Sequence, residues 1–242
     1  MKKYELTTNT KMCFGRKLYQ IKALKDFGDV KAGDLGGYIE KEENLSQDGI
    51  AWVFGNAYVY GNARVYDDAY VYGNTLISGN AQVFGNAYVY DNAQVFGNAC
   101  ICGDAKVFGN ACVYDNAEVF DNAQVFGDAK VFGNTCVFDY ACVYGNACVY
   151  DTTWIHCDAQ ISSNADYICF KGFGSKNRNT TMFRTKNGDV YVSCGCFTGS
   201  LRAFTDKVKE THGNTKYAKE YLACIKAVSY THLRAHETLM NL

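Results

Sequence analysis

Ala51-Trp52-Val53-Phe54-Gly55-Asn56 opens a six-residue phrase that runs nineteen times without a gap, as far as Ala159-Gln160-Ile161-Ser162-Ser163-Asn164. The first position is Ala except at Thr75, Thr135 and Thr153, and the third is Val or Ile in every copy. The fourth is Tyr or Phe in fifteen of the nineteen copies, and Gly or Asp and then Asn or Asp usually follow. A short fixed period marks a solenoid, in which each coil buries its apolar side against the next. Strand alternation turns positions one and three inward and position two outward. Small Ala beside Val suits a narrow interior. Gly, Asn and Asp accept the left-handed backbone that a tight corner needs.

In this phrase an aliphatic residue is followed four positions later by a small one, as Val53 is by Ala57 and Val59 by Ala63. That pattern resembles the hexapeptide-repeat family over residues 51–164. The resemblance implies a left-handed parallel β-helix, triangular in section, with three hexads per coil. About six coils at roughly 4.8 Å per rung would make a prism about 30 Å long. The outward positions then sort into three faces. The first runs from Trp52 through Tyr70 and Tyr88 to Gln160, the second from Tyr58 to Cys148, and the third from Arg64 to Trp154. The corner rings are expected to stack in columns such as Phe54, Tyr72, Tyr90, Phe108, Phe126 and Tyr144. Corner Asn side chains are expected to bond from coil to coil rather than hold calcium.

The 242 residues carry a net charge of -1, unevenly spread. Residues 1–50 hold 9 basic and 8 acidic side chains, residues 51–170 hold 3 and 12, and residues 171–227 hold 11 and 4. An acidic rod joined to a basic module suggests separate units, one of which meets an anion. No run is long enough to span a membrane and no signal peptide is apparent, so the twelve cysteines are read as reduced thiols in a bacterial cytoplasm. Proline is absent, which suits a chain of ladders that uses every backbone N–H.

Residues 1–50 read as a β lead-in and cap, with a strand over Tyr19–Leu24 and an imperfect start of the hexad spacing between Ile39 and Leu45. An open coil end exposes unpaired backbone groups, which a cap must cover. After residue 165 the phrase dissolves. Residues 166–227 read as a small basic α+β domain: a strand at Tyr167–Phe170, a loop over Lys171–Asn179, and a hairpin turning at Lys186-Asn187-Gly188-Asp189. Two helices follow, the first capped by Ser200 and stopped by Gly213. The fold class expected is therefore an all-β solenoid with a small C-terminal α+β domain. Residues 228–242 stand apart, because Val228–Thr238 resembles the translation of a transposase-type sequencing adapter. On that reading the natural sequence ends near Ala227, and His232 and His236 are set aside.

The layout is also similar to uncharacterised phage and prophage proteins with Val-Tyr-Gly-Asn-Ala runs, often labelled hexapeptide-transferase-like or polymer-forming. The similarity rests on Lys25–Ile39, the repeats and Cys194-Gly195-Cys196-Phe197-Thr198-Gly199. It implies no established activity.

Hexapeptide enzymes are often acyltransferases that use a histidine base beside a loop breaking the coils. Here the coils are unbroken, and their one histidine, His156, stands where the ring column needs an aromatic. His156 is thus a weak catalytic candidate, and enzymatic activity is disfavoured. Zinc of the three-histidine kind lacks its ligands, and Cys194 with Cys196 makes a weak metal or redox pair, so neither metal nor cofactor is expected. The outward faces hold only Arg64, Lys106 and Lys130, which argues against direct nucleic-acid binding. Lys171, Lys176, Arg178, Arg184 and Lys186 form the candidate anion site, with a nucleotide held at subunit interfaces as the sharper form of that idea. Trp52, Tyr58, Tyr70, Tyr88 and Trp154 are the candidate interface residues. A homotrimer is what the hexapeptide resemblance implies. The leading expectation is a non-enzymatic scaffold or binding protein of phage type.

Overall fold

The computed structural model describes residues 2–232. Residues 51–164 form a parallel β-solenoid. Its nineteen two-residue rungs run from Trp52–Val53 to Gln160–Ile161 and fall into three sheets. Each rung pairs with the rung 18 residues away, as Tyr88 does with Tyr70 and Lys106, so the three outward faces are those expected. Position one and position three are fully buried along the whole rod, and each buried Val is worth about 1.5–3 kcal/mol. Where Thr replaces Ala, its hydroxyl donates to the carbonyl three residues back, as from Thr75 to Tyr72 and from Thr135 to Phe132. The polar substitution is thereby satisfied within the corner.

Every fifth position from Gly55 to Cys157 has a positive φ, whether Gly, Asp or Cys. The sixth-position side chains bond from coil to coil. Asn62, Asn80, Asn98, Asn116 and Asn134 form one continuous column, each amide donating to the next carbonyl oxygen at 2.9–3.1 Å. Corner rings stack at 4.8–5.2 Å from Tyr72 through Tyr90, Phe108 and Phe126 to Tyr144. Phe54 departs from that column and lies against Tyr70 instead.

The rod has about seven turns, one more than the hexads alone supply, because the lead-in contributes a coil. Strand β3 (Leu35–Ile39) joins one face in parallel, with Tyr38 opposite Tyr58 and Leu45 opposite Val65, offsets of 20 residues. The surplus lies between Leu45 and Val53. Strands β1 (Tyr4–Cys13) and β2 (Arg16–Ala23) form an antiparallel hairpin, and β2 pairs with β3 to close this end. The alternation in β1 is too polar to announce a strand, and only β2 was legible beforehand. Beneath the cap lies Trp52, 1 % exposed, against Tyr4 and Phe27. Its expected role on an open outer face is therefore incorrect: the chain's own N-terminal segment covers it. Lys3 is also buried here, its ammonium donating to the carbonyls of Ala51 and Asp48, and burial pulls its pKa down to about 8.

The other end is closed by the small domain, an antiparallel sheet of β4 (Tyr167–Phe173), β5 (Arg178–Arg184), β6 (Val190–Cys194) and β7 (Phe197–Ser200). Helices α1 (Leu201–His212) and α2 (Lys216–His232) pack on it. Strand β5 serves both cores by alternation. Phe183 enters the solenoid core, and Met182 enters the helix-facing core with Val192, Phe204 and Tyr221. Thr185 bridges Ala159 of the last coil. The loop expected over Lys171–Asn179 is shorter, since Lys171 stands in β4 and Arg178 begins β5. Helix α2 continues five residues beyond Ala227, with Val228 buried in the core. Residues 233–242, which hold most of the adapter-like stretch, lie outside the described residues.

The corners have unequal room for a side chain. A Cβ at Gly73 (φ +78°) would lie 2.5 Å from the Asp91 carbonyl oxygen, whereas one at Gly55 (φ +56°) meets nothing within 4 Å. Gly73→Ala should cost about 2–3 kcal/mol and Gly55→Ala about 1 kcal/mol. Urea unfolding of the two variants measures the difference. Equal losses would show that backbone strain alone sets the cost.

Candidate functional site

Two places near the last coil carry side chains that depart from the repeat. The first is the corner of Asp139, His156 and Cys157. His156 holds the ring position and stacks on Phe138 at 4.8 Å, ending the column from Phe120. The edge-on ring of Phe183 covers it from the small domain. Its Nδ1 lies 3.1 Å from Cys157 Sγ and 3.8 Å from an Asp139 carboxylate oxygen. That same oxygen accepts the Cys157 backbone N–H at 3.0 Å, the contact that Asp67, Asp91 and Asp115 make with Gly85, Gly109 and Gly133 at three other Asp corners.

Nε2 of His156 is buried and has no hydrogen-bond partner among the described residues. Both neighbours thus face one nitrogen. A nucleophile–base–acid relay needs them on opposite nitrogens, so the arrangement does not perform one. Burial pushes the imidazole below its ordinary pKa against the opposing pull of Asp139, and burial pushes the Cys157 thiol up. Neutral imidazole beside neutral thiol is the resting state that follows. The three donors lie within 4.8 Å of one another and are of kinds that bind zinc. The second nitrogen, however, lacks the outer partner that normally orients a ligating histidine. Asp139 and Cys157 escaped the sequence reading. Cys at position five, where Gly or Asp is otherwise the rule, was the available signal.

The second place is a cleft of about 410 Å³ between the last coil and the solenoid-facing side of the small sheet. Thr152 and Trp154 form one wall. Arg178, Asn179, Thr181, Ser193, Gly195 and Cys196 form the rest. Asn179 donates from its amide to the Thr152 hydroxyl across the mouth. Trp154 is half exposed and rests edge-on against Phe138.

The five basic candidates do not converge. Lys171 pairs with Asp151 at 2.8 Å and Arg184 with Asp166 at 3.5 Å, both acids belonging to the end of the rod. Lys186 lies at the hairpin turn, where its backbone N–H donates to Asp158. Lys176 borders a separate hollow against α1 and α2, and Arg178 borders that hollow and the cleft alike. The two thiols of the Cys194-Gly195-Cys196 turn also part. Cys194 is buried, accepting from Thr180 and donating to Tyr221, while Cys196 is exposed at the cleft. Tyr70 and Tyr88 stack at 5.5 Å on one face, and Tyr58 leans on Tyr38 in the cap.

Residues 57–73 match the YdcK beta solenoid repeat. The match covers about one coil near the start of the rod and supports the β-solenoid there. No curated protein matches the chain. Among the described residues no helix is long and apolar enough to cross a membrane.

His156 should behave as a column ring and not as a base. Its folded pKa lies below the unfolded value, so the unfolded chain binds the extra proton and stability falls as pH drops below about 6.5. His156→Phe should flatten that fall while keeping the midpoint at pH 7.5 within a few degrees. Thermal unfolding from pH 5 to 7.5 tests this, and an unchanged pH slope would assign the acid sensitivity elsewhere.

Proposed function

We propose that the chain is a non-enzymatic scaffold, a rigid post that presents its small C-terminal domain and associates side by side into a homotrimer. The observation that carries this reading is that both ends of the rod are closed by the chain itself. The β1–β2 hairpin covers one end, and β5 with Phe183 covers the other. End-to-end growth through exposed strand edges, the route that a polymer-forming label suggests, is thereby blocked. What stays open is the long sides, where Tyr88, Tyr140 and Tyr150 expose large rings. Tyrosine and tryptophan are favoured at interfaces because they bury much area and keep a polar tip wet.

Within the coils, the inward and corner positions have structural tasks, and no inserted loop interrupts them to hold an acyltransferase centre. The alanines and valines fill the core, the fifth residues turn corners, and the sixth residues bond along the rod. His156 is locked between Phe138 and Phe183. On this reading the protein works in a bacterial cytoplasm as a phage or prophage product. Its free thiols and its resemblance at Lys25–Ile39 and Cys194–Gly199 support that setting.

Light scattering at micromolar concentration should give a mass about three times the 26.9 kDa of one chain. Tyr88→Glu and Tyr140→Glu, each on an open side, should shift the population toward single chains at unchanged solenoid content by circular dichroism. A monomeric wild-type protein would refute side-by-side assembly, and acetyl-CoA turnover that depends on His156 would refute the non-enzymatic reading.

A further inference from the structure

We propose that the cleft between Trp154 and the small sheet is a binding site for a nucleoside monophosphate, with the base on Trp154 and the phosphate on Arg178. The site goes beyond the scaffold reading and does not depend on oligomeric state, because one chain supplies all of its walls.

Four observations meet there. The first is an unclaimed cation. Lys171 and Arg184 on the same sheet have carboxylate partners, but among the described residues the Arg178 side chain makes neither an ion pair nor a hydrogen bond, and it is the one cation that lines the cleft. A guanidinium presents a planar fork of donors that matches a phosphate in two-point contact. The second is its seat. Gly195 has φ +60°, and a Cβ added there would overlap the Arg178 guanidinium, so the bare glycine leaves room for the cation where the cleft and the hollow against α1 and α2 meet.

The third is an unclaimed hydroxyl. Ser193 is 7 % exposed, lines the cleft, and makes no side-chain hydrogen bond among the described residues. Its Oγ is thus free to bond a group that enters the cleft. The fourth is an aromatic platform. Trp154 is the rod's last outward ring, half exposed and held edge-on by Phe138, so a face is left for stacking.

The chemistry of the remaining wall selects the ligand. No carboxylate lines the cleft, whereas Thr152, Asn179 and Thr181 offer hydroxyls and an amide. An anion is not repelled, and a sugar finds hydrogen-bonding groups. A bare phosphate would leave Trp154 unused, and a bare base would leave Arg178 unused. The volume of 410 Å³ is in the range of small-ligand sites, roughly 300–1,000 Å³. A macromolecular strand is disfavoured, since the adjoining rod is acidic and phosphate contacts in series need many cations.

Tryptophan fluorescence of the full chain reads the site directly. Trp52 is sealed under the cap at the far end and supplies a constant background, so a change on titration reports Trp154. The probes are AMP, GMP, CMP and UMP, with adenosine and ribose 5-phosphate as half-ligands. At least one monophosphate should quench saturably below about 1 mM, and each half-ligand should bind at least about tenfold more weakly. Arg178→Gln should weaken the monophosphate about tenfold or more and leave adenosine unchanged. Gly195→Ala, which displaces the guanidinium, should reproduce that pattern. Calorimetry on Trp154→Leu checks the platform without the reporter and should show weakened binding. No saturable signal from any of the four nucleotides, or equal binding by wild type and Arg178→Gln, would overturn the assignment. Thermal unfolding of each variant separates lost binding from lost fold.

Discussion

The structure depends on one repeated constraint: each coil's backbone must bond to the coil 18 residues on, in parallel and in register. Bonds such as Tyr88 N–H to the Ala105 carbonyl and Tyr90 N–H to the Val107 carbonyl recur along the rod at about 3 Å. From this follow the positive φ at position five, the small residue at position one, and the coil-to-coil asparagine and ring columns. A side chain on any coil has a same-face neighbour above and below, so contacts add along the axis as they do in other solenoids. The same constraint makes the ends the weak points. They hold bonding groups with no next coil, and the chain invests its irregular segments there.

The charge asymmetry has a structural origin in this closure. The rod is acidic because Asp serves at corners, where it accepts a backbone N–H from the next coil, as Asp115 does from Gly133. The small domain is basic and meets the acidic end through Lys171–Asp151, and through Arg184–Asp166, whose carboxylate also bonds Ser162 of the last hexad. The exposed Lys171–Asp151 pair is worth at most about 1 kcal/mol, so it orients the domain more than it holds it. Phe183 buried in the rod's core and the Thr185–Ala159 bridge do the holding. Two of the five basic residues that suggested an anion site are thereby committed to the fold, and Arg178 is the one left facing the cleft.

The solenoid was legible because its period states the same local choice nineteen times, so three faces, buried positions and corner residues could be assigned before any coordinates. Single-copy features were harder. The first coil has two extra residues between Leu45 and Val53, and a fixed period cannot show which way they bulge. Trp52 looked outward by phase and is outward by phase, yet a hairpin more than thirty residues earlier in the chain folds over it. The helices of the small domain declared themselves through Ser200 and Gly213, whose caps are local. The cleft did not, because it depends on how β5 leaves the last coil after Phe183. That is a relation between two units, and neither unit's pattern encodes it.

The departures from the phrase nonetheless point to the right region. Thr153-Trp154-Ile155-His156-Cys157-Asp158 departs from the usual residue at positions one, four and five and carries Trp at the variable second position. Two of these breaks face the small domain: Trp154 lines the cleft beside Thr152, and His156 meets Phe183. Position two is normally free to vary because it faces water, so Trp there answers to a neighbour and not to the ladder. Position four is normally restricted by stacking, so His there, under the Phe183 ring, answers to an outside contact as well as to the column. In a regular solenoid the coil interior is set by packing and carries little functional information. Information concentrates where a non-repeating neighbour competes with the repeat for the same side chains, and in this chain that place is the last coil.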